Sequence, residues 1–322
     1  MQRRALVAAA AAALVAGPGQ AQEAFPTRPL RFIVPFAPGG PTDIVARILA
    51  PRMAAILGQP VVVENRAGAG GVIGVDLVAK ASPDGYTFGI GSAGALAISP
   101  SLGRGTPYDP LTDLAPITLG VLVPEPLVVP AASPYRTVAD LIADARRRPR
   151  ALNFGSTGNG SMPHLAAAQL LAATGVDIVH IPYNSGAQLA TAILRNEVQL
   201  GFADLPVLLP HIESGAMRAL AVGTPERLPW LPDVPTFIEA GLPEVDASNW
   251  HGLFASARTP PGPLALLRRA AISALQDGEV RELLLRQGAI PGGNPPEEFG
   301  AFLASELRKW AAVIRRFQIT PD

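Results

Sequence analysis

The chain of 322 residues contains no cysteine. Disulfides, thiolate metal sites and a lipid-anchored cysteine are therefore excluded, and the fold stands on its core alone. Lysine is nearly absent, at Lys80 and Lys309 only, while arginine is abundant; we read this as genomic composition bias. Neither charge is in surplus, with 26 basic and 26 acidic groups. A nucleic-acid surface thus has no compositional support, and no basic amphipathic helix suggests membrane binding. No apolar run approaches the roughly 20 residues that span a bilayer. The four histidines, His164, His180, His211 and His251, lie far apart without His-x-x-x-His spacing, so no metal is expected. No Gly-Lys-Ser/Thr ending marks a phosphate-binding loop, and no Gly-x-Ser-x-Gly elbow surrounds a serine. The residues offer no nucleophile–base constellation. Neither an enzyme nor a cofactor is expected.

What is present begins with an export signal. Arg3 and Arg4 precede the apolar segment Ala5–Ala16, and Gly19-Gln20-Ala21 puts small residues where a signal peptidase reads. Cleavage is expected after Ala21, by the general route rather than the twin-arginine one, releasing a soluble periplasmic protein. Losing residues 1–21 removes two arginines and leaves 24 basic against 26 acidic groups.

From Pro29 onward apolar strands alternate with helical segments. Strands are expected at Leu30–Pro35, Val61–Glu64 and Tyr86–Gly91, with helices at Thr42–Leu57, kinked at Pro51, and Val72–Ala81. Val61–Glu64 is apolar enough to read as buried on both sheet faces. The spacing argues a parallel sheet in an α/β domain. A Pro-rich passage, Pro107 to Pro126, connects to a second series. Its strands are Leu127–Val129, Leu152–Gly155, Ile178–Pro182, Val198–Ala203 and Ala219–Val222. Its helices start at Thr137 and at Met162. A further strand is expected around Trp250–Ala255, then helices at Leu264–Leu275, Glu279–Gln287 and Pro296–Arg315. Two similar α/β domains facing one another follow from this pattern, with crossovers at about Leu122–Pro126 and Asp246–Trp250. The expected division is 22–124 plus 249–322 for the first domain and 125–248 for the second.

Two glycine-rich strand-to-helix loops, one per half, are the candidate site. In the first, Gly39 and Gly40 admit close approach of a ligand to the backbone. The N–H groups of that turn and of the first helical turn favour an anion. Asp43 either complements the helix dipole and Arg47 or accepts from a ligand ammonium or hydroxyl. A plain carboxylate is favoured over an amino acid, because the two loops offer no second acid. In the second loop, Ser156 to Ser161, hydroxyls and N–H groups are placed to hold another carboxylate, or form an ordinary turn capped by Ser161. Gly68–Gly74 resembles a dinucleotide fingerprint whose third glycine falls one place late, and reads as a tight turn with close packing. His164 is placed to face the cleft. The other histidines read as packing or surface residues. Asp204 lines the cleft or merely starts a helix.

These residues together resemble the Bug family, the substrate-binding proteins of tripartite tricarboxylate transporters. The matching segments are Arg28–Arg31 with Val34–Gly40 and Asp43, Leu57–Gly71, Asp84–Thr87, and Gly155–Ser161 with His164-Leu165. They continue through His180–Tyr183, Gly215–Val222, Leu231–Thr236 and Trp250–Leu253. The resemblance implies a type II-like periplasmic binding protein of two doubly wound α/β lobes. Its ligand is a small di- or tricarboxylate or related acid, gripped by backbone amides and bridging waters. Carried over are Phe36, Gly39, Gly40, Asp43 and Ser92 from the first domain, and Ser156, Gly158, Asn159, Gly160, Ser161 and Asp204 from the second. The implied partners are the membrane subunits of a tripartite transporter; the alternative is a sensor presenting its closed form to a signalling receptor. A monomer is expected. One departure stands out: after Pro182-Tyr183 the family usually shows Lys-Gly and then Pro-Ala, whereas this chain has Asn184–Ala190, in a loop that can touch the ligand.

Overall fold

The structure, a computed structural model, describes residues 25–103, 105–317 and 319; the expected export signal lies outside them. The apolar run Leu30–Val34 forms β1, buried at four of its five residues. It lies parallel to both β2 (Val61–Asn65) and β3 (Thr87–Ser92). The crossovers contain α1 (Pro41–Leu57) and α2 (Val72–Ala79). α1 starts with Pro41 in its first turn, where the missing N–H costs nothing, and ends at Gly58 in the left-handed region. It continues through Pro51, which faces solvent, so the carbonyl freed at Arg47 need not find a protein partner.

The first sheet runs β11-β4-β10-β3-β1-β2 and is mixed rather than parallel. β4 (Leu114–Pro124), β10 (Ser248–Ser256) and β11 (Ile290–Pro291) add antiparallel neighbours. β4 replaces most of what reads in sequence as a Pro-rich connection. Pro116 is tolerated because the β4–β10 register shifts beside it, so its missing N–H interrupts no regular ladder. β2 proves to be the sheet edge, with Val62 47% exposed, and is not buried on both faces.

The chain reaches the second sheet through Glu125 alone. β5 (Pro126–Pro130) is followed by α3 (Val138–Arg147), β6 (Asn153–Ser156), α4 (Met162–Thr174), β7 (Val179–Pro182), α5 (Gly186–Leu194), β8 (Leu200–Phe202), α6 (Leu205–Glu213) and β9 (Met217–Val222). Strand order is β7-β6-β8-β5-β9, with β6 parallel to β7 and β8, and β5 antiparallel to β8 and β9. α5 and α6 are helices that the sequence reading did not assign. The return path runs beside the outgoing one: Glu125 N–H donates to Ala247 O at 2.9 Å, and Ser248 and Asn249 pair with Pro124 and Val123.

Three helices close the chain on the first lobe. α7 (Pro261–Gln276) packs with α1 over Leu30 and Phe32, and α8 (Gly278–Arg286) adds Val280 and Leu284 to that core. α9 (Pro296–Phe317) covers the opposite face, where Phe299 and Trp310 pack with Trp250. That second core also takes Met162 and Leu165 from α4, so it spans both lobes. No helix among the described residues is long and apolar enough to cross a membrane.

Candidate functional site

The loop after β1 and the loop after β6 face each other across a cleft of about 830 Å³ between the lobes. Eight of the sequence candidates line it: Phe36, Gly39, Gly40 and Ser92 from the first lobe, and Asn159, Gly160, Ser161 and Asp204 from the second. Asp43, Ser156 and Gly158 stand behind that lining.

Asp43 has its carboxylate occupied from within. Gly39 N–H and Arg47 Nε donate to Oδ2 at 2.9 and 2.8 Å, and Asn65 Nδ2 donates to Oδ1 at 2.9 Å. Burial pushes its pKa up, but these hydrogen bonds outweigh burial and hold it below the ordinary aspartate value. The turn N–H of Gly39 therefore points inward at Asp43, so it is not the anion donor expected from sequence. Gly39 needs its left-handed backbone (φ +82°) to make that contact, whereas Gly40 has an ordinary extended conformation.

The second loop is similarly self-bonded. Ser156 Oγ lies 2.6 Å from His180 Nε2 and accepts from Gly158 N–H at 3.1 Å. Ser161 Oγ donates to Gly158 O at 2.7 Å and accepts from His164 N–H, capping α4. Gly160 N–H donates to His164 Nδ1 at 3.1 Å. His164 does not line the cleft; its ring stacks on His180 at 4.3 Å, and His180 stacks on Phe154 at 4.7 Å. This stack is a scaffold for the loop.

What remains open toward the cleft is a set of helix ends. The first residues of α1 (Pro41, Thr42), of α4 (Met162, Pro163) and of α5 (Gly186, Ala187) all line it. The first N–H groups of a helix have no carbonyl partner within it and carry partial positive charge, so three N termini converge on one space suited to an anion. α5 brings Asn184 to Ala187 into the lining, the segment where the family pattern is broken. Ala69 and Gly70 also line the cleft, while Gly74 gives the close packing expected there: a Cβ on it would stand 2.6 Å from Pro35 Cβ.

The crossing strands supply residues that sequence reasoning missed. Asn249 and His251 line the cleft, and His251 is thereby neither a packing nor a surface residue only. They are two apart on β10 and so share a face, while Trp250 between them points into the core. That polar–apolar–polar alternation was the available signal. His251 Nε2 lies 3.3 Å from Thr42 Oγ1, and its Nδ1 has no partner in the protein. Burial lowers its pKa, against the opposing charge of Asp204, and keeps the ring neutral. Asn249 Nδ2 donates to Asp204 Oδ1 at 2.9 Å. Asp204 precedes α6 but its side chain caps no N–H of that helix. Its carboxylate is thus turned to the cleft rather than serving as a helix-start group. Glu125, wholly buried, completes this wall. No donor reaches either of its carboxyl oxygens, and Asp204 stands beside it, where the protonated carboxyl of Glu125 can donate to the aspartate. Desolvation first, and the charges of Asp204 and Asp246 second, push its pKa well above the ordinary glutamate value. No group of His, Cys, Asp and Glu suited to a metal occurs among the described residues.

A cleft between two α/β lobes joined by paired crossing strands, lined by loops and helix N termini, defines a two-lobed binding protein. A model of the family described as tripartite tricarboxylate transporter family receptor matches residues 45–319. Protein BugT of Bordetella pertussis is 40% identical over 306 residues, covering 95% of this chain and 94% of its own. Among solved structures, a protein of R. palustris with adipate is 36% identical with a TM-score of 0.86, over 92% of this chain and 100% of that one. MatC from Rhodopseudomonas palustris with bound malate is 32% identical with a TM-score of 0.83, over 90% and 100%. The chain belongs to the tripartite tricarboxylate transporter receptor family, which includes the Bug proteins. The periplasmic binding protein BugD is 34% identical with a TM-score of 0.84, over 92% of this chain and 100% of that one.

Proposed function

We propose that this protein captures a small carboxylate in the periplasm and delivers it to the membrane subunits of a tripartite tricarboxylate transporter. The observation that carries the reading is the convergence of three helix N termini on one cleft, whose lining contains no arginine or lysine among the described residues. A carboxylate there is held by backbone N–H groups and helix dipoles. Malate and adipate in the structures of relatives support the ligand class. Phe36, Gly39, Gly40, Ser92, Asn159, Gly160, Ser161 and Asp204 are the contact residues in this reading, with Asp43, Ser156 and Gly158 shaping the two loops behind them. The protein works as a monomer of two domains, 22–124 plus 249–322 and 125–248, after cleavage following Ala21. N-terminal sequencing of exported material should begin at Gln22.

Thermal-shift screening against a carboxylate panel, followed by titration calorimetry, tests the function. A true ligand at 100 times its dissociation constant adds about 2.7 kcal/mol of stability. A panel of mono-, di- and tricarboxylates that leaves the melting temperature unmoved would overturn the reading. Uptake of the ligand by cells carrying the protein and candidate membrane subunits tests the partnership.

A further inference from the structure

The cleft is electrically lopsided. The described residues that line it include two carboxyl side chains, Glu125 and Asp204, and no arginine or lysine. The lysine on this side of the molecule is already engaged: Lys309 Nζ lies 2.9 Å from Asp246 Oδ2 and 2.5 Å from Glu306 Oε1. Asp204 is partly exposed, held by Asn249, and unused as a helix cap. Glu125 is 0% exposed with no donor to either carboxyl oxygen, and His251 Nδ1, also buried and unpartnered, lines the same space. A buried polar atom without a partner costs free energy, so three such atoms beside one cleft mark a place where a bound group supplies what the protein does not.

Two ligand chemistries meet this wall differently. A second carboxylate would be set against Asp204, with no arginine or lysine among the described residues of the lining to offset it. An ammonium would be attracted by Asp204 and has three N–H donors to distribute among the carboxyl oxygens of Asp204 and Glu125 and the imidazole Nδ1 of His251. We propose that the wall formed by Asp204 and Glu125 receives a positively charged nitrogen, so that the ligand is a small carboxylate that also carries an amine. Its carboxylate lies toward the helix N termini and its ammonium toward the crossing strands. The inference rests on the carboxylate reading of the same cleft and narrows it. It also replaces the plain carboxylate favoured from sequence: the two loops do lack a second acid, but the crossing strand and the start of α6 provide two.

The test is calorimetric titration of the wild-type protein with matched pairs. These are the common L-amino acids and ω-amino acids, each against the carboxylic acid that lacks its nitrogen. The expected result is at least one amino ligand that binds tenfold or more tightly than its partner acid. Asp204→Asn should cost that ligand tenfold or more relative to its partner acid, so that the wild-type preference is lost. Glu125→Gln, nearly isosteric, should shift the preference the same way. A partner acid that binds as tightly as the amino ligand, or an amino ligand indifferent to both substitutions, overturns the proposal while leaving carboxylate capture intact. Failure of every carboxylate, with or without nitrogen, removes both. Because the wild-type pairs need no variant, misfolding of either substituted protein leaves the comparison decisive.

Discussion

Glu125 is a carboxyl group kept dry by burial, with no donor to either of its oxygens. Its pKa is raised above the ordinary glutamate value by burial and by the neighbouring aspartates. Below that ordinary value both folded and unfolded chains hold the proton, and the group's contribution to folding is fully present. As pH rises above it, the unfolded chain releases the proton and the folded chain does not. Stability is then lost at up to about 1.4 kcal/mol per pH unit until the folded pKa is passed. Glu125→Gln removes this loss. The variant should melt with the wild type near pH 4 and progressively above it toward pH 8; parallel melting curves across that range would show Glu125 to be unperturbed. Asp43 is the opposite case. Its folded pKa is depressed, so its contribution is present at neutral pH and fades as pH falls through that folded value. Asp43→Asn sets an amide donor against the Gly39 N–H or loses Arg47. It should cost about 1–3 kcal/mol at pH 7, read by urea unfolding, with the difference shrinking in acid. A neutral substitution would mean that the carboxylate does not hold the first loop.

At the scale of elements, function sits on helix beginnings and on the two crossing strands. Gly40 precedes α1 with φ −78° and ψ 166°, values open to any residue, and a Cβ there meets nothing closer than Ala37 O at 3.6 Å. Gly40→Val should therefore fold normally while its methyls occupy the approach to the helix end. Affinity should drop by about 100-fold or more, near 2.7 kcal/mol, and titration calorimetry with the best carboxylate measures it. Undiminished affinity would move the anion away from α1. The same elements explain what the sequence made legible. β1, β3, α1, α4 and the three C-terminal helices carry clear apolar periodicity or caps, and the two glycine-rich loops announce themselves. β4 was hidden because Pro116 and Pro124 argue against a strand, and only the irregular pairing with β10 accommodates the first of them. α5 and α6 are short, and α6 contains Pro206 and Pro210, so neither shows a full helical period. Glu125, Asn249 and His251 escaped because chain separation conceals that the crossing strands lie side by side. Only pairing places them in one wall.

Across the whole molecule, two sheets do not amount to two independent folding units. β4 and β10 each belong to the first sheet and lead directly into or out of the second lobe. α9 fastens the junction. Glu306 Oε2 accepts from both Trp250 Nε1 and Trp310 Nε1, at 2.8 and 3.0 Å, and Lys309 of the same helix reaches Asp246. Met162 and Leu165 of the second lobe are buried with Trp250, Phe299 and Trp310 of the first. Gly160 packs against Leu102 so closely that a Cβ would stand 2.6 Å from its Cδ1. Separating the lobes would uncover this apolar surface and the indole N–H groups at once. Each buried aromatic of that cluster would forfeit about 1.5–3 kcal/mol. Melting one lobe while the other stays folded is therefore disfavoured, and scanning calorimetry should record a single transition whose van't Hoff and calorimetric enthalpies agree. Trp310→Ala removes the residue that both anchors α9 and covers Trp250. It should lower the midpoint by about 3–5 kcal/mol of stability and allow the lobes to melt apart. Two resolved transitions in the wild type would refute the coupling, and a single unshifted one in Trp310→Ala would place it elsewhere than α9.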